Sequence, residues 1–553
     1  MFKKVFALLT AGCLALTALS GCSDGTSPPP ASRSANSKEG GSSVANASTA
    51  ETSTEFKGYP METDTTLTWY VQNGFTLNEA YGAAEESPFH SGLSEMTGVN
   101  IEWSFPTAGA DATQDFNLML AGDTLPDIVY GPFMKESERY LSEGTIHDLS
   151  DMIQENAPAY YKFLQSDEAY DKAMKTDSGK YYGFGFFRED GGWNDTYLGP
   201  ALRKDWLDEQ NLAVPKTISD WDNVLKVFKE KYNAPLSFSW KTRFANAGIP
   251  GAFGAHGNVT YAMYVDEDGK IQCAQAQPEW RDYMAKLAEW WQAGLIDKDV
   301  ITLEDPAVQS KALNGETGFS LTSMGQLSNW EADAKNASTG AEWIGIPYPT
   351  GDDGTLTSVF GGYGIGPDHV AVITKDCAEE KIGTALRLLD YAYTDEGSLY
   401  WNFGKEGTAW EYNDKHEVEY LPLVTEDADG LNNAISKYGG STWSGSCIQL
   451  TRLLHLKNTE TAIAANDTWF YENEKVTRAD KIPPGLTMSV DETNESADLR
   501  IALETYVSET ATKFITGEQS LDTFDDYVAK MKEMGLERVL EIYQTAYDRF
   551  QSR

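Results

Sequence analysis

The chain has 553 residues, and its 84 acidic and 44 basic side chains leave a formal charge of −40. This charge argues against nucleic acid as a partner, because binding to phosphates needs basic side chains that displace counterions. It also disfavours adhesion to anionic lipid and fits a soluble body with neutral or cationic ligands. The length predicts two or more domains, or one large two-lobed unit.

The N-terminal segment predicts a lipoprotein. Lys3 and Lys4 precede an apolar run over 5–19, which is too short to span a bilayer and has the length of a signal peptide's apolar region. The LSGC sequence that ends at Cys22 matches the bacterial lipobox, in which the cysteine carries lipid and becomes the mature N-terminus. We therefore predict a signal peptide over 1–21 and lipid on Cys22. An ordinary secretory signal with an unmodified cysteine is the alternative.

Residues 22–58 are predicted to be a flexible tether. They are rich in Ser, Thr, Ala, Gly and Pro and carry no periodic apolar residues, so they cannot bury enough surface to fold. Two or more acyl chains hold a protein firmly at a membrane, whereas a single chain binds marginally. We expect a folded body tethered outside the membrane.

Strand and helix patterns alternate at the start of the folded region. The strand-like segments are 66–71, 99–105 and a short apolar strand within 123–132, and the helical segments are near 83–97 and 113–121. This alternation predicts a parallel α/β sheet, and ligands of such sheets lie beyond the carboxyl ends of the strands. Asn73 and Tyr130 lie at such ends and are therefore candidate ligand contacts.

Glycines interrupt an aromatic stretch over 181–207. Glycine backbones can absorb changes of dihedral angle, and the neighbouring aromatic side chains can hold a ligand. A second glycine-rich link lies over 349–366. Two such links in mid-chain predict two discontinuous lobes with a hinge and a cleft between them. The alternative for 181–207 is a surface loop whose aromatic side chains fill a local core.

The remaining apolar periodicity is mostly helical. Amphipathic helices are predicted over 221–232, 278–293, 379–393 and 521–547. Within the second of these, Trp280, Trp290 and Trp291 have helical spacing and are expected in the core. The segment 261–272 predicts a hairpin that turns on Asp268 and Gly269.

No cofactor is predicted. Cys273, Cys377 and Cys447 are widely spaced and form no CxxC metal motif. The acidic run 266–269 lacks the twelve-residue loop and terminal Glu of an EF-hand, so calcium has no clear motif here.

Several different short motifs follow one another along the chain. They are TGVN at 97–100, LPDI at 125–128, LRKDWL at 202–207, GLID at 294–297, GKEG at 404–407 and QTAYDRF at 544–550. With the lipobox, this set resembles the extracellular solute-binding proteins of family 1, the carbohydrate-receptor lipoproteins of ABC importers in Gram-positive bacteria.

The resemblance implies a two-lobed α/β fold of the periplasmic-binding-protein type II class. One lobe would comprise 59–186 plus 360–412 and the other 187–359 plus 413–553. It implies a protein at the extracellular face of the cytoplasmic membrane that binds an oligosaccharide and delivers it to ABC transporter permease subunits; we expect a monomer. By loop position, the implied ligand contacts are Asn73, Tyr130, Trp193, Trp240, Gln326, Tyr363, Trp410 and Trp443.

The aromatic and polar side chains among these candidates are suited to binding a sugar. A pyranose offers a face of C–H groups bordered by hydroxyls, which aromatic rings and polar side chains match. Trp193 and Trp443 lie in glycine-rich loops with little core nearby, so they are the most informative candidates. Four charged residues, Arg188, Glu189, Asp190 and Asp195, could bind hydroxyls, although exposure to solvent is the expectation for charged residues in a loop.

Three other functions are weighed against an oligosaccharide receptor. An anchored glycoside hydrolase or lyase would use a carboxylate pair, but 84 acidic residues make any proposed pair uninformative, and no GxSxG, HExxH or Walker motif occurs. A receptor for peptides or similar solutes is a second alternative. A surface scaffold or adhesin is the third.

Overall fold

The computed structural model describes residues 56–72, 87–107, 111–189, 191–239, 248–359, 364–428, 430–440, 445–471 and 481–553. Residues 57–553 form one compact unit. Among the described helices, none combines the length and the apolar character that crossing a bilayer requires.

The strands of the described ranges are numbered in chain order. They are β1 Thr66–Val71, β2 Asn100–Ser104, β3 Ile128–Gly131, β4 Phe184–Arg188, β5 Leu198–Arg203, β6 Met263–Val265, β7 Ile271–Cys273, β8 Phe319–Ser323, β9 Trp343–Gly345, β10 Ile365–Ile373, β11 Trp410–Tyr412, β12 Val418–Tyr420 and β13 Ile448–Gln449.

The α-helices are numbered in the same way. They are α1 Pro88–Thr97, α2 Ala112–Leu120, α3 Ser137–Ser142, α4 Ile153–Asn156, α5 Pro158–Leu164, α6 Glu168–Ala173, α7 Gly191–Asp195, α8 Lys204–Glu209, α9 Ile218–Tyr232, α10 Pro278–Gln292, α11 Asp305–Leu313, α12 Met324–Asn336, α13 Glu379–Asp390, α14 Asp395–Phe403, α15 Pro422–Thr425, α16 Leu431–Tyr438, α17 Thr451–Lys457, α18 Glu460–Tyr471, α19 Val490–Thr516, α20 Phe524–Glu533 and α21 Leu536–Gln551.

The first lobe is built on a sheet to which the described part of the chain contributes six strands, in the order β13-β4-β10-β3-β1-β2. β1 is parallel to β2 and β3, β4 is parallel to β13, and β10 is antiparallel to β3 and β4. All strands except β10 therefore end at one edge, which we call the carboxyl edge. The core around this sheet draws on 67–187 and 365–401 and includes Cys447.

The second lobe has its own sheet and its own core. Here β5 lies between β8 and β9 and is antiparallel to both. The core draws on 193–359 and 462–546, and a smaller cluster over 403–453 packs separately. Two α/β cores joined by repeated chain crossings confirm the predicted two-lobed fold class.

Local sequence signals account for several of the helices and turns. Thr217 and Asp220 form a capping box at the start of α9, which satisfies two backbone N–H groups at the helix end. Trp280 and Trp290 on α10 are fully buried, as their spacing predicts. The predicted hairpin is confirmed as β6 and β7, with Gly269 in the left-handed region at φ 74°.

One long helix of the sequence prediction is divided in the structure. The segment 521–547 was expected to be continuous, but α20 ends at Glu533 and α21 begins at Leu536. Gly535 adopts φ 102° between them, a conformation that an α-helix cannot contain.

The lobes are connected more often than the two glycine-rich links suggest. The described strands place crossings between β4 and β5, between β9 and β10, and after β13. Because β13 pairs with β4, the sheet of the first lobe extends to Gln449, whereas the sequence assigned all of 413–553 to the second lobe. The lobe limits stay a prediction, and the strand pairing favours a boundary after Gln449.

Candidate functional site

The carboxyl edge of the first sheet faces the chain crossings. Arg188 is the last residue of β4 and Gln449 is the last residue of β13, so both lie at this edge. In α/β sheets the crevice beyond the carboxyl ends of the strands is where ligands bind. The candidate site therefore lies between this edge and the elements of the second lobe that follow the crossings.

A cavity of about 90 Å³ lies at this position. We call it the crossing cavity. Its described lining comes from β4 and β13, from the α7–β5 crossing, from the start of α12 and from α17: Arg188, Asn194, Tyr197, Ser323, Met324, Gly325, Gln449, Leu453, Leu454, Lys457 and Asn458. Both lobes thus contribute to its wall.

Asp195 joins two of the crossings beside the cavity. Its carboxylate forms an ion pair with the Arg188 guanidinium and accepts a hydrogen bond from the Gly364 backbone N–H at 2.5 Å. The Arg188 N–H donates in turn to the Gly364 carbonyl at 2.8 Å. The first and second crossings are therefore bonded to each other through one buried carboxylate.

The third crossing is bonded to the same region. The Glu189 N–H donates to the Gln449 carbonyl at 3.0 Å, and the Glu189 carboxylate accepts from the Thr451 N–H at 2.8 Å. The Arg188 guanidinium carbon also lies 5.6 Å from the centre of the Tyr197 ring. These bonds hold the three crossings together at the base of the cleft.

The N-terminus of α12 forms part of the cavity wall. Ser323 caps the helix by accepting from the Gln326 N–H at 3.1 Å, and the Met324 N–H donates to the Tyr197 carbonyl at 3.0 Å. A Cβ at Gly325 would meet no heavy atom within 4 Å, so the first turn is open to an approaching group. The positive end of the helix dipole lies here.

Lys457 and Asn194 supply the polar groups at the other side. Burial lowers the pKa of the Lys457 ammonium. Asn194 is 2% exposed, and its Nδ2 donates to the Thr451 hydroxyl at 3.2 Å, while its Oδ1 is buried without a hydrogen-bond partner. A buried amide with one unmatched end is uncommon in folded proteins.

A second and larger cavity, of about 530 Å³, also has walls from both lobes. On the first lobe it is lined by Lys135 and Glu136, which follow β3, and on the second by the N-terminal part of α19, by Tyr543 of α21 and by residues within 482–488. Arg500 donates to the Tyr543 hydroxyl at 3.2 Å in its wall. Its remaining walls are mostly apolar, from Met263, Ile482, Pro483, Pro484, Leu486 and Met488.

Six of the residues named from the sequence lie outside the described residues. They are Cys22, Asn73, Asp190, Trp240, Tyr363 and Trp443.

The other candidates can be placed. Tyr130 lies in β3 beside the carboxyl edge, 1% exposed, with its ring centre 5.7 Å from that of His369. Gln326 lies in the first turn of α12, next to the cavity lining, and its Oε1 accepts from the Thr322 hydroxyl at 3.1 Å.

Trp193 and Trp410 are packed in cores. Trp193 is 3% exposed, and its indole N–H donates to Asp467 Oδ1 at 2.8 Å. Trp410 is 2% exposed in the smaller cluster, and its indole N–H donates to the Gly404 carbonyl at 2.9 Å. Trp193 lies next to the cavity, because its chain neighbour Asn194 is part of the lining. Trp410 lies away from the cavity.

Two charged residues beside the cavity are buried, contrary to the expectation from the sequence. Arg188 and Asp195 were expected to be exposed, but they are 9% and 4% exposed. The signal was present in the sequence, since residues of opposite charge flank the glycine-rich turn. Lys457 and Asn458 also line the cavity. No sequence signal predicts this, because α17 has no motif of its own.

No protein-family model matches the chain. A curated relative is the fructooligosaccharide ABC transporter substrate-binding protein FusA of Streptococcus pneumoniae, which is 22% identical over 500 residues, covering 83% of this chain and 86% of FusA. The chain is thus similar, over most of its length, to substrate-binding proteins of ABC transporters. Such relatives are substrate-binding proteins and not enzymes.

Solved structures of solute-binding proteins have the same fold as this chain. The alginate-binding protein AlgQ2, solved without calcium ion, has a TM-score of 0.69 at 23% identity and covers 89% of this chain and 100% of its own. An extracellular solute-binding protein from Bifidobacterium longum subsp. infantis has a TM-score of 0.70 at 18% identity, with coverage of 88% and 98%.

A metal site is not evident in the described ranges of the chain. Within them, no group of three or more His, Cys, Asp or Glu side chains could hold a metal ion. FusA itself has an EF-hand, since one of its solved forms is an EF-hand mutant. The acidic run at 266–269 of this chain differs from an EF-hand loop. Its Asp266 Oδ1 accepts from the Asp268 and Lys270 N–H groups of the hairpin turn.

Proposed function

We propose that this chain is the extracellular, lipid-anchored substrate-binding protein of an ABC importer. It captures an oligosaccharide between its lobes and delivers it to the permease subunits. The observation that carries this proposal is the crossing cavity, which lies at the carboxyl edge of the first sheet and is also lined by residues of the second lobe. A ligand that contacts both lobes stabilises the closed arrangement over the open one.

The relatives support an oligosaccharide as the ligand. FusA is named for fructooligosaccharides and AlgQ2 for alginate, so proteins of this fold hold both neutral and acidic glycans. The lobes, the crossings and the cavity are observed in this chain and do not depend on the comparison with relatives. Its specificity is expected to differ in detail, because identity to these proteins is 22–23%.

For the ligand contacts we propose the polar lining of the crossing cavity together with the loops above it. Asn194, Tyr197 and Gln449 line the cavity directly. Of the contacts named from the sequence, Asn73, Trp240, Tyr363 and Trp443 stay predictions, and Tyr130 and Gln326 lie close enough to the carboxyl edge and the cavity to remain candidates. Trp193 and Trp410 are better explained as core residues.

The anchor and the assembly state belong to the same proposal. Cys22 would carry the lipid at the extracellular face of a Gram-positive cytoplasmic membrane, and the protein would act as a monomer without a bound cofactor. Metabolic labelling with a fatty-acid analogue should mark the protein and should be lost in Cys22→Ala. Labelling that survives in Cys22→Ala would contradict the anchor.

A titration of the protein against oligosaccharides tests the function. Intrinsic fluorescence and calorimetry should report saturable binding of an oligosaccharide, and chromatography should recover the ligand intact. Tyr197→Ala should weaken binding by about tenfold, as the loss of about 1.4 kcal/mol requires, and the half-exposed Tyr412 provides Tyr412→Ala as a control that binds normally.

Three outcomes would replace the proposal. Cleavage of the oligosaccharide would indicate the anchored hydrolase or lyase. Binding of peptides with no binding of any oligosaccharide would indicate a receptor for another solute. Small-angle scattering should show compaction at saturation, and unchanged dimensions would argue for a scaffold.

A further inference from the structure

We propose that the crossing cavity receives the exocyclic hydroxymethyl group of one sugar ring and that Asn194 recognises its hydroxyl. The receptor then prefers rings that carry a primary hydroxyl to otherwise identical rings that lack it. This inference rests on the proposed function and names a ligand group and a specificity-determining residue for the same site. It is carried by the size of the cavity, its apolar wall, one unmatched amide and an open helix end.

The size of the cavity determines which part of a sugar can enter. Its volume is about 90 Å³, whereas a dry cavity that binds a single benzene ring measures about 150 Å³. A pyranose ring with its hydroxyls is larger than benzene, so a whole ring does not fit. A hydroxymethyl group adds only a carbon and an oxygen to the ring, and it can project into the cavity while the ring stays outside, in the cleft.

Part of the wall is apolar and suits the methylene carbon of such a group. The side chains of Met324, Leu453 and Leu454 belong to the described lining, and the first two are buried in the cores of the protein. A methylene that packs against them leaves water, which favours binding. The wall therefore matches the carbon of a hydroxymethyl group as well as its oxygen.

Asn194 contributes the unmatched polar group. It is 2% exposed, and its Nδ2 donates to the Thr451 hydroxyl at 3.2 Å, whereas its Oδ1 is buried without a hydrogen-bond partner among the described residues. Since the oxygen and nitrogen of an amide exchange places on a flip, the unmatched end is either an acceptor or a donor. A hydroxyl both donates and accepts, so it matches this end in either orientation.

The start of α12 provides a second polar group in the same wall. The helix runs for 13 residues, and Gly325 in its first turn lines the cavity. An N–H in the first turn has no carbonyl of its own helix to bond, and the space where a Gly325 side chain would begin is open. The Gly325 N–H can therefore donate to a hydroxyl oxygen whose hydrogen is directed to Asn194.

The charged groups of the wall are already engaged. Arg188 pairs with the Asp195 carboxylate, and Lys457 has an interaction of its own. The described lining contains no acidic side chain. The unmatched side chain of the described lining is therefore a neutral amide, which favours a neutral hydroxyl as its partner.

Calorimetry on the full chain in detergent tests this inference with matched ligands. The probes are cellotriose, maltotriose, mannotriose, galactotriose and kestose, each compared with a deoxy analogue in which hydrogen replaces the primary hydroxyls. Trimers of galacturonate and glucuronate test a charged group at the same position. At least one neutral trisaccharide is expected to bind at least tenfold more tightly than its deoxy analogue, because a site built around a hydroxyl rejects a ligand that leaves its polar groups unpaired.

Variants of two buried asparagines assign that preference to Asn194. Asn194→Leu should lower affinity for the trisaccharide at least tenfold and leave the deoxy analogue unchanged, whereas Asn194→Asp keeps an oxygen acceptor and should retain the preference. Asn466 is equally buried and also has an unmatched Oδ1, but it is not part of the described lining. Asn466→Leu is therefore the matched control and should retain the preference.

A further variant acts on the cavity and leaves the buried amides intact. A Cβ at Gly325 meets no heavy atom within 4 Å, so the fold can accommodate Gly325→Leu, which narrows the cavity. It should abolish the preference by excluding the hydroxymethyl group, and Gly325→Ala, with its smaller side chain, should reduce the preference less. Thermal unfolding checks that both variants are folded.

The outcomes separate this inference from the function on which it rests. Equal binding of every trisaccharide and its deoxy analogue, or tightest binding of an acidic trimer, overturns the hydroxymethyl inference and leaves the oligosaccharide receptor standing. A preference that survives both Asn194→Leu and Gly325→Leu, or that Asn466→Leu abolishes equally, overturns the assignment to Asn194 and this cavity. Binding of none of the probes overturns the inference and counts against the proposed function itself.

Discussion

Arg553 and Asp177 join the two lobes at a point away from the crossings. The Arg553 side chain is completely buried, and its Nη2 donates to Asp177 Oδ1 at 2.6 Å. The same guanidinium donates to the carbonyls of Lys175 and Gly485 at 2.7 and 2.8 Å. Asp177 follows α6 of the first lobe and Arg553 follows α21 of the second, so this contact and the Asp195 contact hold the lobes at two places.

Loss of the Asp177 carboxylate should destabilise the folded protein. Asp177→Ala leaves the Arg553 guanidinium buried without its counter-charge, and breaking a buried ion pair costs about 3–5 kcal/mol. We expect a decrease of about that size in the free energy of unfolding, measured by urea denaturation. The pair of Arg538 and Glu495 is half-exposed, with side chains 49% and 46% exposed, so Arg538→Gln should have a much smaller effect on the free energy of unfolding. Equal effects of the two variants would contradict this account.

Loss of the Asp195 carboxylate should loosen the crossings. Asp195→Ala removes one hydrogen-bond acceptor from the Arg188 guanidinium and one from the Gly364 N–H. Hydrogen exchange should therefore speed up at the start of β10, over 364–370, more than in the outer strand β2. Asp195→Asn retains an oxygen for the Gly364 N–H and should show a smaller change. Exchange that is unchanged in Asp195→Ala would show that the crossings do not depend on this residue.

Asp390 should make stability depend on pH in mildly acidic solution. Burial raises the pKa of Asp390 to about 6, whereas an unfolded Asp has a pKa of about 3.9. Between these values the folded protein binds a proton that the unfolded chain does not, so stability falls as pH rises from 4 to 6. The expected loss is on the order of 3 kcal/mol, from about two pKa units at 1.36 kcal/mol each.

The variant Asp390→Asn checks the sign of this effect. An amide oxygen can still accept from the Tyr160 N–H, which lies 2.7 Å from Asp390 Oδ1, but the amide does not ionise. Above pH 7 the variant should therefore unfold at higher temperature than the parent, and the difference should vanish near pH 4. Asp498→Asn, on an exposed position of α19, should leave the profile unchanged. A less stable Asp390→Asn at pH 7.5 would contradict the prediction.

Trp410 should act as a core residue. It is 2% exposed and packs 6.1 Å from the Phe403 ring and 5.1 Å from the Tyr412 ring. Trp410→Ala should lower the free energy of unfolding by about 3–5 kcal/mol, measured by circular dichroism. Tyr412→Ala removes a ring that is 36% exposed and should cost far less. Normal stability with weakened oligosaccharide binding in Trp410→Ala would restore Trp410 as a ligand contact.

The sequence by itself determined the local structure and the class of the fold. Apolar spacing predicted α9, α10 and α13, because a helix that packs on a core carries apolar residues at helical spacing along its buried face. Glycine and acidic residues identified the β6–β7 turn, because they meet the conformational needs of the turn locally. The alternation of strands and helices predicted an α/β sheet with ligands at the carboxyl ends of the strands, and the two glycine-rich links predicted two lobes.

Only the tertiary structure decided which residues meet. The strand β13 has two residues and no periodicity, so its pairing with β4, and with it the third crossing, could not be read from the sequence. Trp193 and Trp410 looked like loop residues and are buried by elements distant in the chain. Arg553 and Asp177 are 376 residues apart. Periodicity reports that a side chain is buried but not what covers it, because the partner is chosen by the packing of the whole chain.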